Sequence, residues 1–341
     1  MPRSPSFKLK TKVKNRVLSN PLLRKIALLS LSTPLVVDNP IYKYAYQRQI
    51  AHTVKAHSAK PQIVQLELTN LCNLRCVNCP NKDKKRKQGF MEMKTYCKII
   101  DECVELGVQN IYLCGLGEPL LHKSLLHMIN YAKIKGIGTL TLYTNGILLT
   151  PQLGKELINS GLDELNVSID AATAMTYSKM RPPGNLVVVE RNLRNFINLR
   201  NRMESTKPLV IAKFMKEATN ADEVSLFKRK WKGWADEIFI SFPHNWGGAT
   251  SGGKSEWKRN KKREPCTMPF RFMSILWDGR VSLCCLDDEG KVLLGDTKET
   301  SIVEIWHREK LQEIRKIHLD SDFNKIPLCD KCNFKDVWWL Y

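Results

Sequence analysis

Six short runs rich in β-branched, aliphatic and aromatic residues recur between positions 61 and 242, and the stretches between them carry apolar residues at helical spacing. The strand-like runs are Ile63–Thr69, Asn110–Cys114, Gly138–Tyr143, Glu164–Asp170, Leu209–Met215 and Glu237–Phe242. The helical patterns cover Tyr96–Leu106, Ser124–Lys135, Pro151–Ser160, Val187–Arg202 and Ala221–Trp231. Strand, helix, strand is the unit of a parallel sheet, because a parallel neighbour is reached only through a crossover of about a dozen residues or more. The chain is thus expected to be α/β. Six units in roughly 180 residues fall short of the eight of a closed barrel, so the expectation is a partial, open (β/α)6 barrel.

At 341 residues the chain exceeds one usual domain, and its 43% hydrophobic content suffices for a large core with a smaller appendage. A disordered chain is excluded. Lys and Arg outnumber Asp and Glu by 54 to 34, and residues 1–60 hold twelve basic residues against the single acid Asp38. A basic leader of this kind, read as largely helical, suits anionic lipid, nucleic acid or an acidic partner, and charge alone does not choose among them. Its apolar run Ile26–Val37 is too short to span a bilayer and is interrupted by Pro34. With no clear small-residue cleavage site and a long charged stretch ahead of the run, export is not expected. A second basic stretch, Pro243–Glu264, reads as a linker. The expected organisation is therefore a leader (1–60), an α/β core (61–242), a linker (243–264) and a cysteine-bearing region (265–341).

Three of the eleven cysteines, Cys97, Cys103 and Cys114, lie in apolar segments and are expected to be structural thiols. The other eight fall into tight groups, which without an export signal points to metal rather than disulfides. The first strand-like run ends in TNLCNLRCVNCP, which sets Cys72, Cys76 and Cys79 at C-x-x-x-C-x-x-C. Active sites of barrel enzymes form at that end of the strands. Three thiolates can hold three irons of a cubane and leave the fourth open, whereas structural zinc wants a fourth ligand.

This spacing after a first strand resembles the radical S-adenosylmethionine (SAM) superfamily, whose core is a partial TIM-like barrel. Three further segments are similar to that family. The second run leads into Gly115, Leu116, Gly117, Glu118 and Pro119, which looks like the glycine-glycine-glutamate-proline motif that meets the amino group of SAM. The third ends in Tyr143, Thr144, Asn145 and Gly146, and the fourth in Ser168, Ile169 and Asp170, where the resemblance implies contact with the ribose. It covers roughly residues 61–242 and implies catalysis through Cys72, Cys76 and Cys79, with Gly115, Gly117, Glu118, Pro119, Asn145, Ser168 and Asp170 around the cofactor.

The C-terminal group resembles a short SPASM or twitch extension: Cys266, then Gly279 with Cys284 five residues on, then Cys329 and Cys332 as C-x-x-C. The resemblance implies that Cys266, Cys284, Cys329 and Cys332 hold an auxiliary 4Fe-4S cluster; four thiolates suit tetrahedral zinc as well. Cys285 competes with Cys284, and since adjacent strand residues face opposite ways only one should reach the cluster. A hairpin turning at Asp278 and Gly279 is expected between Cys266 and Cys284.

The resemblance implies an oxidoreductase-type enzyme. A 4Fe-4S cluster reductively cleaves SAM, the 5'-deoxyadenosyl radical takes a hydrogen atom, and the auxiliary cluster accepts an electron from a small or lipid-linked substrate. It implies a low-potential donor such as flavodoxin or ferredoxin. Competing readings are a peptide-modifying maturase, an RNA-modifying radical SAM enzyme, and a zinc-stabilised nucleic-acid-binding protein, although nucleic acid is not the expected partner. The expected location is the cytoplasm, with the basic leader at the membrane surface as a further expectation.

Overall fold

The computed structural model describes residues 40–57, 59–83, 85–250 and 264–334. The apolar run Ile26–Val37, the rest of the leader before position 40 and the most basic part of the linker lie outside the described residues. Within them the leader ends in helix α1 (Pro40–Ala56). Its C-terminal end is held by the far end of the chain: Trp306 Nε1 donates to the His57 carbonyl at 3.1 Å.

The expected alternation follows: β1 (Ile63–Leu66), α2 (Met93–Glu105), β2 (Asn110–Leu113), α3 (Leu125–Ile134), β3 (Thr139–Thr144), α4 (Pro151–Asn159), β4 (Glu164–Ser168), α5 (Ala174–Met180), α6 (Leu186–Arg202), β5 (Leu209–Met215), α7 (Val224–Trp231) and β6 (Glu237–Ser241). Local chemistry starts the helices. Thr150 accepts from Leu153 N–H at 3.2 Å with Pro151 in the first turn, and Asn185 accepts from Val187 N–H at 2.9 Å. The C-terminal part adds α8 (Met268–Arg271), β7 (Phe272–Ile275), β8 (Arg280–Ser282), β9 (Leu293–Asp296), α9 (Ile302–His307), α10 (Glu309–Asp320) and α11 (Pro327–Lys331).

All nine strands join one mixed sheet in the order β6-β5-β4-β3-β2-β1-β7-β8-β9. Strands β1 to β6 are parallel, each beside its sequence neighbour. Strand β7 pairs in parallel with β1, Val64 opposite Met273, so the C-terminal segment extends the core sheet. The expected hairpin is present between β7 and β8, with Gly279 at φ +92°.

The two faces of the sheet differ. Val64, Leu66, Ile111, Leu113, Leu140, Leu142, Leu165, Val167, Val210, Ala212 and Phe214 belong to one contiguous buried core that also takes in Trp306 and Ile314 from the C-terminal helices. The alternate positions, Gln65, Tyr112, Thr141, Tyr143, Asn166, Lys213 and Ser274, form the opposite face, which is polar and aromatic.

The strand at Glu164 ends at Ser168 rather than Asp170, because Asp170 is left-handed (φ 59°) and both Ile169 and Asp170 turn their N–H groups onto the Lys213 carbonyl. The first run likewise ends at Leu66, and Thr69 instead bridges antiparallel to Phe90.

One buried ion pair ties these parts together. Arg86 grips Glu67 through two hydrogen bonds of 2.8 Å, with the side chains only 4% and 3% exposed. Glu67 also accepts from Trp277 N–H, and Arg86 donates to the Asp288 carbonyl. Removing one member strands a buried charge. Glu67→Ala is expected to lower stability by about 3–5 kcal/mol, measured as a shift of the urea midpoint; an unchanged midpoint would show the pair to be dispensable.

Candidate active site

The loop after β1 presents Cys72, Cys76 and Cys79, all half-buried. Its backbone is docked on the segment after α5: Arg75 N–H donates to the Pro182 carbonyl at 2.6 Å and Val77 N–H to the Met180 carbonyl at 3.0 Å. Burial pushes the Cys72 thiol up to about 11 and the Cys79 thiol up to about 12, and raises Cys76 as well. The Arg181 guanidinium pulls each of them the other way, but burial dominates. Without a metal the set is neutral, and bound iron would supply the charge that makes thiolates.

The loop after β2 lies against the cysteine loop. A side chain at Gly117 would collide with the carbonyl oxygens of Thr69 and Leu71, so this approach requires glycine. Glu118 N–H donates to the Leu71 carbonyl at 2.8 Å.

Glu118 itself is 2% exposed. It accepts from Thr144 Oγ1 at 2.7 Å, Asn145 N–H at 2.8 Å and Leu120 N–H at 3.1 Å. These bonds tie its carboxylate to the end of β3 and the residue after it, while Leu116 is engaged through its carbonyl by Asn81 and through its N–H by Glu67. Pro119, also buried, starts the short turn that follows.

Asn145 completes a triangle. Its amide donates to Asn73 Oδ1 at 2.7 Å, beside Cys72, and its Oδ1 accepts from Ile147 N–H. Three of the expected segments are thus locked to one another. The fourth sits nearby, but the Asp170 carboxylate is engaged by Arg181 and by Met215 N–H at 2.7 Å. That leaves the half-buried Ser168 hydroxyl as the polar group of this segment on the face opposite the helices.

Cys266, Cys284, Cys329 and Cys332 line one apolar cavity with Met268, Leu283, Leu286, Leu328 and Phe334. Cys284 is the member of the adjacent pair that enters it. Cys285 lies near Cys114 and Tyr143 and packs with Cys266 and Cys284 against Ile63, Met268 and Phe272. Among the described residues no three His, Cys, Asp or Glu side chains close around a single ion. A cubane spreads its ligands over different irons, and four thiols around one apolar cavity fit that donor set.

The segment after β6 connects the two cysteine sites. Trp246 Nε1 donates to the carbonyl of Asn78, next to Cys79, at 2.9 Å. Asn245 Nδ2 donates to the Lys331 carbonyl at 2.7 Å, and Asn245 and Asn333 exchange two further bonds. His244 is wedged between the rings of Trp246 and Phe334. The start of the expected linker, residues 244–246, is thus a strap between two sites.

Sequence reasoning did not single out Asn73, Asn78, Arg181, Lys213 or Glu217. Asn73 and Asn78 stood in plain view between the cysteines; Arg181 and Glu217 carried no local signal. Burial, with the Asp170 charge behind it, pushes Glu217 up to about 7, and its Oε2 accepts from the Asn78 amide.

Seven thiols divided between a three-cysteine loop beside a glycine-rich turn and a four-cysteine cavity, in an α/β fold, are a donor set that suits iron-sulfur clusters. The radical SAM superfamily model matches residues 66–210 and the SPASM iron-sulfur cluster-binding domain matches residues 266–333. The chain carries a radical SAM superfamily domain followed by a separate SPASM domain.

A probable GTP 3',8-cyclase of Methanococcus maripaludis is 35% identical over 136 residues, 40% of this chain and 45% of that protein. The GTP 3',8-cyclase of Clostridium perfringens is 30% identical over 182 residues, 52% of this chain and 54% of that one. The chain thus spans about half the length of these relatives. Among solved structures, BtrN in complex with AdoMet and 2-DOIA aligns with TM-score 0.56 at 21% identity, over 81% of this chain and 94% of that one. SuiB of Streptococcus suis bound to precursor peptide SuiA aligns with TM-score 0.63 at 12% identity, over 82% and 72%. At these identities the likeness is one of fold.

Glu118→Ala would leave three donors facing an apolar gap. A buried unsatisfied group costs about 1–3 kcal/mol. The variant is expected to unfold at lower urea and to bind SAM more weakly than Glu118→Gln, measured by denaturation and equilibrium dialysis.

Proposed function

We propose that this chain reductively cleaves SAM at a 4Fe-4S cluster held by Cys72, Cys76 and Cys79, and uses the resulting radical to oxidise a small or lipid-linked substrate. The observation that carries the reading is the interlock of Gly117, Glu118, Asn145 and Asn73 around the three-cysteine loop. It fixes two ligand-approach loops against the cysteines without using the cysteines themselves. When bound, the cluster and SAM supply an electron and a carbon-centred radical able to remove a hydrogen atom.

The protein's own part is orientation and exclusion of water. Backbone of Gly115 and Gly117 would meet the amino group, Asn145 holds the cysteine loop in register, and Ser168 would offer a hydroxyl to the ribose. Cys266, Cys284, Cys329 and Cys332 would hold the auxiliary 4Fe-4S cluster, fully ligated and so suited to take up an electron. In this reading the sheet curls as a partial (β/α)6 TIM-like barrel over residues 61–242, and residues 265–341 form the SPASM/twitch-like domain. A low-potential protein such as flavodoxin or ferredoxin is the proposed donor, and the cytoplasm, with the leader at the membrane surface, the proposed location. Among the described residues no helix is long and apolar enough to cross a membrane.

A second reading, modification of a peptide, draws support from the TM-score of 0.63 with SuiB bound to its precursor peptide.

Anaerobically reconstituted protein is expected to bind about eight irons and to form 5'-deoxyadenosine with SAM and reductant; the Cys72/Cys76/Cys79 triple alanine variant should keep about four and form none. Zinc in place of iron, or equal nucleoside from both proteins, would overturn the proposal.

A further inference from the structure

Lys213 lies on β5 with its Cα opposite Ser168 on β4 and Phe239 on β6. Its carbonyl accepts the N–H groups of Ile169 and Asp170, so it stands one strand from the segment expected at the ribose. Its side chain is on the face opposite the helices. The ammonium reaches across β4 to sit 4.7 Å from the Tyr143 ring centre and 5.1 Å from that of Phe239.

No carboxylate pairs with it, and among the described residues it makes no side-chain hydrogen bond. The other partly buried lysines contrast with it: Lys60 donates to the Gly107 carbonyl at 2.7 Å, Lys133 pairs with Asp163 at 2.7 Å, and Lys230 pairs with Glu190. Around Lys213 stand a thiol and rings. Cys114 lies nearby, Tyr112 packs on Tyr143 at 5.7 Å, and the acid in its field, Asp170, is engaged by Arg181.

Ring faces attract an ammonium but accept none of its three N–H groups as a carboxylate or phosphate would. Burial holds its pKa below the usual lysine value, the direction expected of a cation lacking its counterion. Tyr112, Tyr143, Ser168, Phe239 and Lys213 are half-buried on this face, whereas Gln65, Thr141, Asn166 and Ser274 beside them are buried.

We propose that Lys213 binds an oxyanion, carboxylate or phosphate, carried by the substrate. The substrate is then a small organic anion whose charged group docks beneath the SAM site, with Tyr143 and Phe239 flanking it. Lys213 acts as a substrate-binding and orienting residue. The inference rests on the radical SAM reading for the position of SAM, and its test separates the two.

Reconstituted full-length protein with SAM is dialysed against labelled D-glucuronate, D-glucose 6-phosphate and neutral D-glucose. Wild type should prefer at least one anion over glucose by about tenfold or more, the size of a charge-assisted hydrogen bond; the carboxylate and phosphate arms show which oxyanion it takes. Lys213→Met should abolish the preference and Lys213→Arg retain most of it. In parallel, Lys213 of the wild type is acetylated and quantified by peptide mass spectrometry, with the anions expected to protect it and glucose not. Equal affinity for all three sugars, a preference that survives in Lys213→Met, or acetylation unaffected by either anion would overturn the proposal. Iron content and SAM binding are measured on the same samples. Their loss in the wild type would count against the radical SAM reading, and their retention with no anion preference would count against Lys213 alone.

Discussion

The organisation of the candidate active site depends on the bonds of one carboxylate. Glu118 is buried, and every strong bond it makes is to a loop rather than to solvent. A carboxylate in that setting is costly unless its acceptor sites are filled, and here two neighbouring loops fill them. The loops after β2 and β3 are therefore placed together. Because Asn145 then reaches Asn73, the cysteine loop is placed with them. Flexible connections become a fixed site by spending polar groups on one another.

The C-terminal segment is bound into the sheet in two ways. Strand β7 supplies backbone pairing to β1, and the Glu67–Arg86 pair supplies charge, with the Trp277 N–H and the Asp288 carbonyl joined to it. The apolar core also runs on from the strand–helix layer into Trp306 and Ile314. Separate family models thus meet in one packed body.

The six parallel strands were legible because each must bury one face under helices, which leaves a run of apolar residues whose identity is local. The hairpin of β7 and β8 was legible too, but the parallel pairing of β7 with β1 was not, since the partner lies about two hundred residues earlier and no local pattern encodes such a pairing. The cysteine spacings were legible as ligand sets, and the structure gathers four of them around one cavity and admits Cys284 but not Cys285. Residue type was readable where direction was not. Glu118 and Asp170 could be read as acids, but not which neighbours they bond: loop donors for one, Arg181 and Met215 for the other. Lys213 showed the converse: one cation in the alternating strand LVIAKFM, overlooked because period-two patterns describe burial and not chemistry.

The strap of residues 243–248 sets how the protein must assemble. Trp246 holds the neighbour of Cys79, Asn245 holds the neighbours of Cys332, and Gly247 packs on Leu328 in the wall of the four-cysteine cavity. Ordering either end removes conformational freedom from the other, and that entropy is not lost a second time. The strap therefore ties the backbone beside the three-cysteine loop to the backbone beside the four-cysteine cavity, so that neither is positioned independently of the other.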